Sequence, residues 1–292
     1  TGHRAAVPKG VPLVEADIAN REVVSDVITG NGVEAIVHFA ASSLVGESMA
    51  DPMKYFGNNT AGTLTLLDVA LAHDVGRFVL SSTAALYGTP SSIPIPEDAE
   101  LHPESVYGES KYLIERALAW LGSNAGLGWT ALRYFNAAGA HGELGEDHDP
   151  ESHLIPLILQ VALGQRDAIS IFGGDYATPD GTAIRDYIHV HDLAEAHVLA
   201  VEALEPGVGT AYNVGTGTGY SVQEVVDTCR DVTGHPIPAH VVERRAGDPP
   251  ALVADASKIR EELGFVAYRS ALRDVVTSAW EWHQANPTGY AD

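Results

Sequence analysis

The sequence contains a single cysteine, Cys229, among its 292 residues. One cysteine cannot form an internal disulfide, so we expect the protein to work in a reducing compartment, the cytoplasm. Basic residues are also scarce, because 17 Lys and Arg stand against 39 Asp and Glu, for a formal charge of −22. Without clustered cations to meet phosphates, the chain is predicted to have no nucleic acid and no anionic membrane among its partners.

Long hydrophobic runs are missing as well, since no apolar stretch approaches the ~18 residues of a membrane-spanning helix. The hydrophobic content of 45% is instead ordinary for a globular protein. The length of 292 residues is enough for one large domain or two smaller ones.

Short apolar runs alternate with helical stretches in the first half of the chain. Strands are predicted at 11–18, 35–41, 77–88 and 130–139, and helices at 20–30, 55–75 and 110–121. Strands separated by helices pair in parallel, so the pattern predicts an α/β fold with a doubly wound, Rossmann-like sheet. Ligands of such sheets bind beyond the carboxyl ends of the strands.

After about residue 140 the composition changes, because Gly, Asp, His and Pro crowd segments between short strands such as 168–173. We interpret this part as a smaller, mixed α/β domain. Segments 186–204 and 210–217 are expected to return to the main sheet. The predicted main domain is therefore 1–136 with 186–217, and the smaller domain is 137–185 with 218–292.

The strongest chemical candidate is the pair Tyr107 and Lys111, which lie four residues apart and share one face of a helix. A neighbouring ammonium favours the phenolate and lowers the pKa of a tyrosine, which then takes a proton from an alcohol. Spacing alone leaves open a chance pair on a solvated helix face. Thr83, in the stretch SSTAALYG after a predicted strand, supplies a hydroxyl that could bond a substrate oxygen beside Tyr107.

A hydroxyl residue in SSTA followed by Y-x-x-x-K resembles the catalytic trio of the extended short-chain dehydrogenase/reductase family. Further stretches resemble the UDP-glucose 4-epimerase branch of that family: HFAASSLVGESMADPMKYFGNNTAGT (38–63), LRYFNAAGA (132–140), IFGGDYATPDGTAIRDYIHVHDLA (171–194), ERRAGDPPALVADASKI (243–259) and WEWHQANPTGYAD (280–292). The likeness covers essentially the whole chain.

The resemblance implies an enzyme that uses bound NAD to invert C4 of a UDP-sugar through a transient 4-keto sugar, interconverting UDP-glucose and UDP-galactose. Tyr107 would be the base, Lys111 its partner and Thr83 the residue at the reacting oxygen. Besides Tyr107 and Lys111, the positions that match NAD-binding residues are Asp17, Ile18, Phe39, Ala40, Ala41, Ser43, Asn58 and Phe135. Some relatives have Lys where Ser43 stands.

The smaller domain would hold the UDP part of the substrate. Besides Thr83, the positions that match substrate-binding residues are Asn136, His153, Leu154, Ser170, Ile171, Phe172, Arg185, Arg245, Asp248 and Leu252. Two arginines can neutralise a diphosphate through forked hydrogen bonds. A salt-bridged surface turn is the alternative reading of the R-R-x-G-D stretch. Some relatives carry Tyr at Leu252, and the smaller side chain is compatible with an N-acetylated sugar.

No metal is expected. His189, His191, Asp192 and His197 were weighed as ligands, but no second cluster has convincing spacing. No glycine-rich phosphate turn precedes Thr1, and Thr1 with Gly2 resembles the end of a ribose-binding loop. We therefore expect the natural protein to carry an N-terminal extension. Family members are commonly homodimers, and helices 55–75 and 110–121 could form the interface.

Two alternatives remain open at this point. The chain could be another NAD-dependent nucleotide-sugar enzyme, a dehydratase or a decarboxylase, although SSTAALYG supplies no acidic residue that a dehydratase needs. It could also be a module that binds a nucleotide sugar without catalysis.

Overall fold

The computed structural model of the chain describes residues 2–245 and 247–291, so that Thr1 lies outside it. Within these residues the strands are β1 (Ile36–His38), β2 (Arg77–Ser81), β3 (Gly128–Tyr134), β4 (Asn136–Ala138), β5 (Ile169–Phe172), β6 (Ile184–His189), β7 (Gly209–Val214), β8 (Gly219–Ser221), β9 (Ala239–Val242) and β10 (Ala251–Leu252). The helices are α1 (Arg21–Asn31), α2 (Val45–Ala50), α3 (Pro52–Tyr55), α4 (Gly62–Ala72), α5 (Val106–Ala125), α6 (Leu154–Ala162), α7 (Val190–Glu202), α8 (Val222–Thr233), α9 (Ser257–Leu263) and α10 (Leu272–Ala285). A π-helical segment (Phe56–Ala61) joins α3 to α4, and short 3-10 helices lie at Arg4–Ala6 and Ala84–Leu86. No described helix combines the length and apolar character that crossing a bilayer requires.

The main sheet has four parallel strands in the order β1-β2-β3-β7. Successive side chains of β2 point to opposite faces of this sheet. Phe78 and Leu80 pack with α4 and α5, whereas Val79 packs with α7 and α9. Helices therefore cover both faces, which confirms the predicted doubly wound α/β fold.

A second sheet has the order β10-β6-β4, and β8 adds to β6 in antiparallel orientation. The sequence analysis expected 186–204 and 210–217 to return to the main sheet. β7 does so beside β3, but the prediction is wrong for β6, which pairs with β4 and β10. The reason is that the chain leaves the main sheet after β3 and resumes as β4, whose backbone pairs with β6.

A separate hydrophobic core supports this second part of the molecule. It is formed by α6, α8 and α10 together with strand β5, through buried side chains such as Ile158, Val225, Val276 and Ile169. Strands β5 and β9 form their own parallel pair beside it. Parallel and antiparallel pairing with three helices agrees with the expected mixed α/β character.

The predicted strand at 11–18 is wrong. No described strand pairs with this segment, and Val11, Leu13 and Val14 are 55%, 45% and 53% exposed. A strand is held by hydrogen bonds to a neighbour, and apolar residues alone do not provide them. The segment ends in a turn at Asp17, whose carboxylate accepts from the Ala19 N–H at 2.7 Å.

The first turn of α5 is pressed against the loop that follows β2. Ser105 caps this helix by accepting from the Gly108 N–H at 3.1 Å. A Cβ atom on Gly108 would lie 2.6 Å from the Ala85 carbonyl oxygen, so only glycine permits this approach. The close contact brings the start of α5, and with it Tyr107, to the carboxyl end of β2.

A buried ion pair joins the middle of α5 to β3. The guanidinium of Arg133 donates to Glu115 through Nε at 3.1 and 3.2 Å and through Nη2 at 2.6 Å. The side chains are only 7% and 5% exposed. Ser82 donates to the same carboxylate at 2.6 Å, and Arg133 also donates to the Tyr87 hydroxyl at 2.9 Å. The network therefore joins α5, which carries Glu115, to β3 and to the segment that follows β2.

Replacing Arg133 by leucine would leave the Glu115 carboxylate buried without its counter-ion. We expect Arg133→Leu to lower the free energy of unfolding by about 3–5 kcal/mol, measured by urea unfolding. The matched control is Arg21→Leu, which removes an ion pair with Asp68 whose side chains are 57% and 66% exposed. That control should cost less than about 1 kcal/mol, and equal losses in the two variants would contradict the argument.

Candidate active site

The three residues predicted to be catalytic come together at the carboxyl end of β2. Thr83 caps the short helix Ala84–Leu86, its hydroxyl accepting from the Ala85 N–H at 3.1 Å. The side chain of Thr83 lies close enough to that of Tyr107 to lower the pKa of the phenol. Tyr107 is fixed from behind, because its N–H donates to the Ser48 hydroxyl at 3.1 Å. Two hydroxyls are thus presented side by side, as proton transfer from an alcohol requires.

The acidity of Tyr107 is set mainly by its burial. Burial raises the pKa of Tyr107 above its ordinary value, Tyr134 and Tyr55 raise it further, and the side chain of Thr83 opposes them. The sequence predicts that Lys111, together with a cationic nicotinamide, lowers this pKa, and for the chain with its cofactor this stays a prediction. The ammonium of Lys111 donates to the Ser81 carbonyl at 2.8 Å, so its charge is directed to the end of β2.

Lys111 is almost completely buried, with 1% of its surface exposed. Burial lowers the pKa of Lys111 to about 8, and the nearby charge of Glu115 opposes the shift. Burial and the charge of Lys111 together lower the pKa of the neighbouring His38 to about 3. His38 bonds to the Thr63 hydroxyl at 2.7 Å. Beside Tyr107, the ammonium of Lys111 therefore supplies the positive charge of the buried part of the site, because His38 is kept neutral.

Residues predicted to contact a dinucleotide follow the end of β1. Phe39 is 56% exposed and its ring lies 4.6 Å from that of His197. The neighbouring predicted residues are Ala40, Ala41 and Ser43, of which Ala40 and Ser43 are exposed. Asn58 lies across from them on the π-helical segment and donates to the Ser42 hydroxyl at 3.4 Å. These side chains and their backbone are open to a ligand.

Asn59 was not singled out from the sequence, yet it shapes this loop. Its amide accepts from the Ser42 N–H at 2.8 Å and donates to the Ser42 carbonyl at 2.9 Å and to the Ser110 hydroxyl at 3.0 Å. The wider turn of a π-helix is frequent at functional sites. Here Asn59 points inward to hold the loop while its neighbour Asn58 stays exposed. The doubled Asn in FGNNTAG was the available signal.

Asp17 and Ile18 lie on the turn before α1, at the same edge of the sheet. Asp17 is exposed. The side chain of Ile18 approaches Gly62, where an added Cβ would meet it at 3.6 Å. Ile18 therefore lies beside the start of α4, directly after the segment that carries Asn58.

An apolar cluster connects the catalytic end to the second sheet. Phe135 and Leu252 pack against Ala84, Tyr87 and Ile95, and Ala84 directly follows Thr83. Leu252 also pairs with Arg185 in the register of β10 and β6. The structure therefore brings Leu252 to both halves of the predicted site. Asn136 begins β4 and pairs with Tyr187 in the same sheet.

The predicted nucleotide-binding residues form two charged contacts. Arg185, with a side chain 12% exposed, is paired with Asp248. Arg245 lies over the ring of Phe172 at 4.0 Å from its centroid. Phe172 ends strand β5, which also contains Ser170 and Ile171, of which Ser170 is exposed and Ile171 buried.

His153 and Leu154 are not brought to these residues by any described side-chain contact. His153 precedes α6 and Leu154 begins it, and the imidazole of His153 bonds to Glu146. The other histidines that were weighed as ligands have protein partners: His189 bonds to the Ser278 hydroxyl at 3.0 Å and His197 to the Leu193 carbonyl at 2.8 Å. His191 lies in a group of potential ligands with Asp192 and Glu195.

Sequence reasoning missed Glu115 and Ser81, which surround Lys111. Glu115 continues the spacing of Tyr107 and Lys111 by another four residues, and this periodicity was the signal that could have indicated it. Ser81 acts through its backbone carbonyl, which no side-chain pattern reveals.

Comparison with known proteins assigns the class of protein. The sequence profile of the NAD dependent epimerase/dehydratase family matches residues 1–215, and the chain belongs to this family. It is 50% identical over 285 residues to the UDP-glucose 4-epimerase of Corynebacterium glutamicum, covering 98% of this chain and 86% of that protein. The corresponding enzyme of Halalkalibacterium halodurans is 49% identical over 293 residues, covering 99% and 87%. The predicted family is confirmed.

Solved structures agree with the fold. A crystal structure of a UDP-glucose 4-epimerase superposes with a TM-score of 0.96 at 46% identity, covering all of this chain and 89% of that one. The UDP-glucose 4-epimerase of Brucella ovis, solved in complex with NAD, gives a TM-score of 0.92 at 46% identity, covering 96% and 87%.

The buried ammonium of Lys111 predicts a pH dependence of stability. Because burial lowers its pKa from 10.5 to about 8, the folded chain carries one proton fewer than the unfolded chain between these values. The unfolding free energy of the protein relative to Lys111→Met should therefore rise by about 3 kcal/mol from pH 8 to 10.5 and stay level below. Urea unfolding at several pH values measures this difference. Lys54→Met, at a side chain 46% exposed, is the control, and a flat difference for Lys111→Met would refute the expectation.

Proposed function

We propose that the chain interconverts UDP-glucose and UDP-galactose by inverting C4 of the sugar through a transient 4-keto sugar. The observation that carries the proposal is that Thr83, Tyr107 and Lys111 meet at the carboxyl end of β2, where Thr83 acts on the Tyr107 phenol and Lys111 lies one turn along the same helix. Family membership supports NAD as the cofactor. NAD, when bound, accepts a hydride from C4 and returns it to the opposite face. The reaction would belong to galactose metabolism.

Tyr107 is the base in this proposal. Its phenolate oxygen would take the proton of the sugar 4-hydroxyl and later return it, while Thr83 orients the reacting oxygen. The chain's own groups leave the phenol poorly acidic, and the positive charge of a nicotinamide held by the residues proposed for NAD would favour the phenolate. Lys111 contributes the second charge from the buried part of the site. Activation of Tyr107 is thereby coupled to cofactor binding.

The residues proposed to hold NAD fit its chemistry. Phe39, Ala40, Ser43 and Asn58 are exposed and Ala41 is half-buried, and together they offer hydrogen bonds and an apolar surface beyond the end of β1, where ligands of such sheets bind. Asp17 and Ile18 would contact the adenine, and Phe135 would lie near the nicotinamide. The main domain, 1–136 with 186–217, is the proposed cofactor half.

The substrate half is proposed to be 137–185 with 218–292. Arg185 and Arg245 would bind the diphosphate and Asp248 the ribose. Arg185 already carries the carboxylate of Asp248 as its partner, so the substrate would have to share or replace that contact. The remaining substrate contacts would come from Asn136, His153, Leu154, Ser170, Ile171, Phe172 and Leu252.

Conversion of UDP-galactose, read by a coupled assay of UDP-glucose formation, tests the proposal. We expect Tyr107→Phe to lower the rate more than about 100-fold, because it removes the proton-transferring hydroxyl. Tyr112→Phe, at the half-buried tyrosine five positions along the same helix, is the matched control and should keep its rate.

Undiminished activity in Tyr107→Phe would remove the assignment of the base. A folded chain that holds UDP but converts nothing would favour a nucleotide-sugar-binding module. The same assay with UDP-N-acetylgalactosamine tests whether the space beside Leu252 accommodates an N-acetylated sugar. If that space admits the N-acetyl group, Leu252→Tyr should slow this conversion more than it slows the conversion of UDP-galactose.

We also propose that the protein is a cytoplasmic homodimer. The single, buried Cys229 suits a reducing compartment. On the two helices expected at the interface, Leu64 of α4 is 43% exposed and Trp120 of α5 is 69% exposed. Large exposed apolar side chains of this kind are enriched in interfaces.

Trp120→Glu should therefore weaken the dimer, because it places a charge in the proposed apolar interface. Analytical ultracentrifugation over a range of concentrations measures the change, with a shift from dimer to monomer as the expected result. Tyr268→Glu, at a side chain 78% exposed outside these helices, is the control. A chain that is monomeric before any substitution would contradict the proposed dimer.

A further inference from the structure

Four side chains converge in the loop between β4 and α6, away from Thr83, Tyr107 and Lys111, although one of them, His153, is also a proposed substrate contact. They are Glu146, His148, Glu151 and His153, in the pattern E-x-H-x-x-E-x-H. One imidazole nitrogen or carboxylate oxygen from each lies within 4.8 Å of the others. We name this group the loop cluster. It combines two nitrogen and two oxygen ligands, which is a donor set that proteins use for metals.

Two of the donor separations are close to those between ligands of a tetrahedral ion, and the third is shorter, so that His153 would have to turn away from Glu146. The Nδ1 atom of His148 lies 3.2 Å from an oxygen of Glu146 and 3.7 Å from an oxygen of Glu151. His153 contacts the same oxygen of Glu146 through its own Nδ1. Ligands bound tetrahedrally to Zn²⁺ at about 2.0–2.1 Å are roughly 3.3 Å apart. Small rotations of these side chains would therefore enclose an ion.

The local charge also calls for a cation. Residues 140–165 contain five carboxylates and no Lys or Arg. The side chains of Glu146 and Glu151 are only 17% and 6% exposed, while those of His148 and His153 are 48% and 49% exposed. Carboxylates withdrawn from water need a positive partner. Within 140–165 only imidazoles can provide it, and they do so only by holding protons that a metal can displace.

A second layer of hydrogen bonds already orients one of the ligands. The carboxylate of Glu151 accepts from the N–H groups of Ser152 at 2.6 Å and His153 at 2.8 Å. Such outer contacts fix metal-binding side chains and raise affinity. They also keep Glu151 turned toward the two imidazoles.

We propose that the loop cluster binds one Zn²⁺ ion, with His148 and His153 as nitrogen ligands and Glu146 and Glu151 as oxygen ligands. Mg²⁺ and Ca²⁺ are disfavoured because they prefer oxygen ligands at higher coordination numbers. The ion has a structural role, since it ties residues 146–151 to the start of α6 at His153. This site goes beyond the epimerase reaction and uses none of Thr83, Tyr107 and Lys111. The expectation from sequence that the chain holds no metal stays untested, and this pattern argues against it.

The whole chain, freed of metal by a chelator and tested without NAD or UDP-sugar, is the material for the experiment. Isothermal titration with ZnCl₂ should give one ion per chain, and MgCl₂ should not compete. Co²⁺ should give the visible absorption of tetrahedral cobalt without a sulfur charge-transfer band, because the only thiol, Cys229, is buried elsewhere. These readouts are independent of activity, so they stand or fall apart from the proposed reaction.

Variants identify the ligands. His148→Ala and His153→Ala should each weaken Zn²⁺ binding by more than the about 10–100-fold that loss of a supporting residue costs. His235→Ala, at an exposed histidine outside the loop cluster, should bind like the unaltered chain. Glu146→Gln keeps the size of the side chain and should also lose affinity, and circular dichroism checks that each variant is folded.

Failure of the unaltered, folded chain to bind Zn²⁺ stoichiometrically would overturn the proposal. Stoichiometric binding that survives in a folded His148→Ala/His153→Ala double variant would also overturn it, because the ion would then be held elsewhere.

Discussion

Glu115 projects a buried carboxylate from α5, the helix that also carries Tyr107 and Lys111. The geometry of the proposed catalytic residues depends on the groups that neutralise this carboxylate. Arg133 reaches it from β3 with a forked contact, Ser82 reaches it from the end of β2, and Lys111 lies one helical turn away. Burying one carboxylate so deeply is costly unless its partners are fixed. Fixing them sets the position of β2, β3 and α5 relative to one another, and with it the meeting of Thr83 and Tyr107.

This arrangement explains why the lysine and the tyrosine have distinct environments although they share a helix face. The ammonium of Lys111 has a carbonyl, that of Ser81, as its direct partner and a carboxylate at longer range. Tyr107 has only hydroxyls and aromatic rings around its oxygen. The charge that would ionise the phenol is therefore not supplied by a direct contact within the chain. In the proposed mechanism that charge is added together with the cofactor, which would keep the base inactive until the site is complete.

The sequence predicted the parts of the fold that follow from periodicity. Strand β2 and the amphipathic helices were correctly predicted, because each buries its apolar side chains between the main sheet and the helices that cover it. The prediction of a strand at 11–18 was wrong. Its apolar residues are typical of a strand, but a strand also needs a neighbouring strand to pair with, and residue types do not reveal whether one is present. Strand β6 was misplaced for a related reason, since only the three-dimensional course of β3 into β4 decides which backbone it meets.

The sequence likewise predicted only part of the candidate site. Thr83, Tyr107 and Lys111 carry side-chain chemistry at fixed spacing, and the structure brings them together. Ser81, which acts through a backbone carbonyl, and Asn59, which works inside a π-helical turn, leave almost no trace in residue type. The rise in the pKa of Tyr107 could not be predicted from spacing, because its largest cause is burial, which no pattern of residue types encodes.

The position of Leu252 has an evolutionary consequence. Its side chain packs with Phe135 and Ala84 next to Thr83, while its backbone pairs with Arg185. A change of volume at this one position would be felt by the loop that carries Thr83 and by the strand that carries Arg185. Substrate range and turnover rate would then not vary independently, and a lineage that broadens its range here would need compensating changes on two strands that are far apart in the chain.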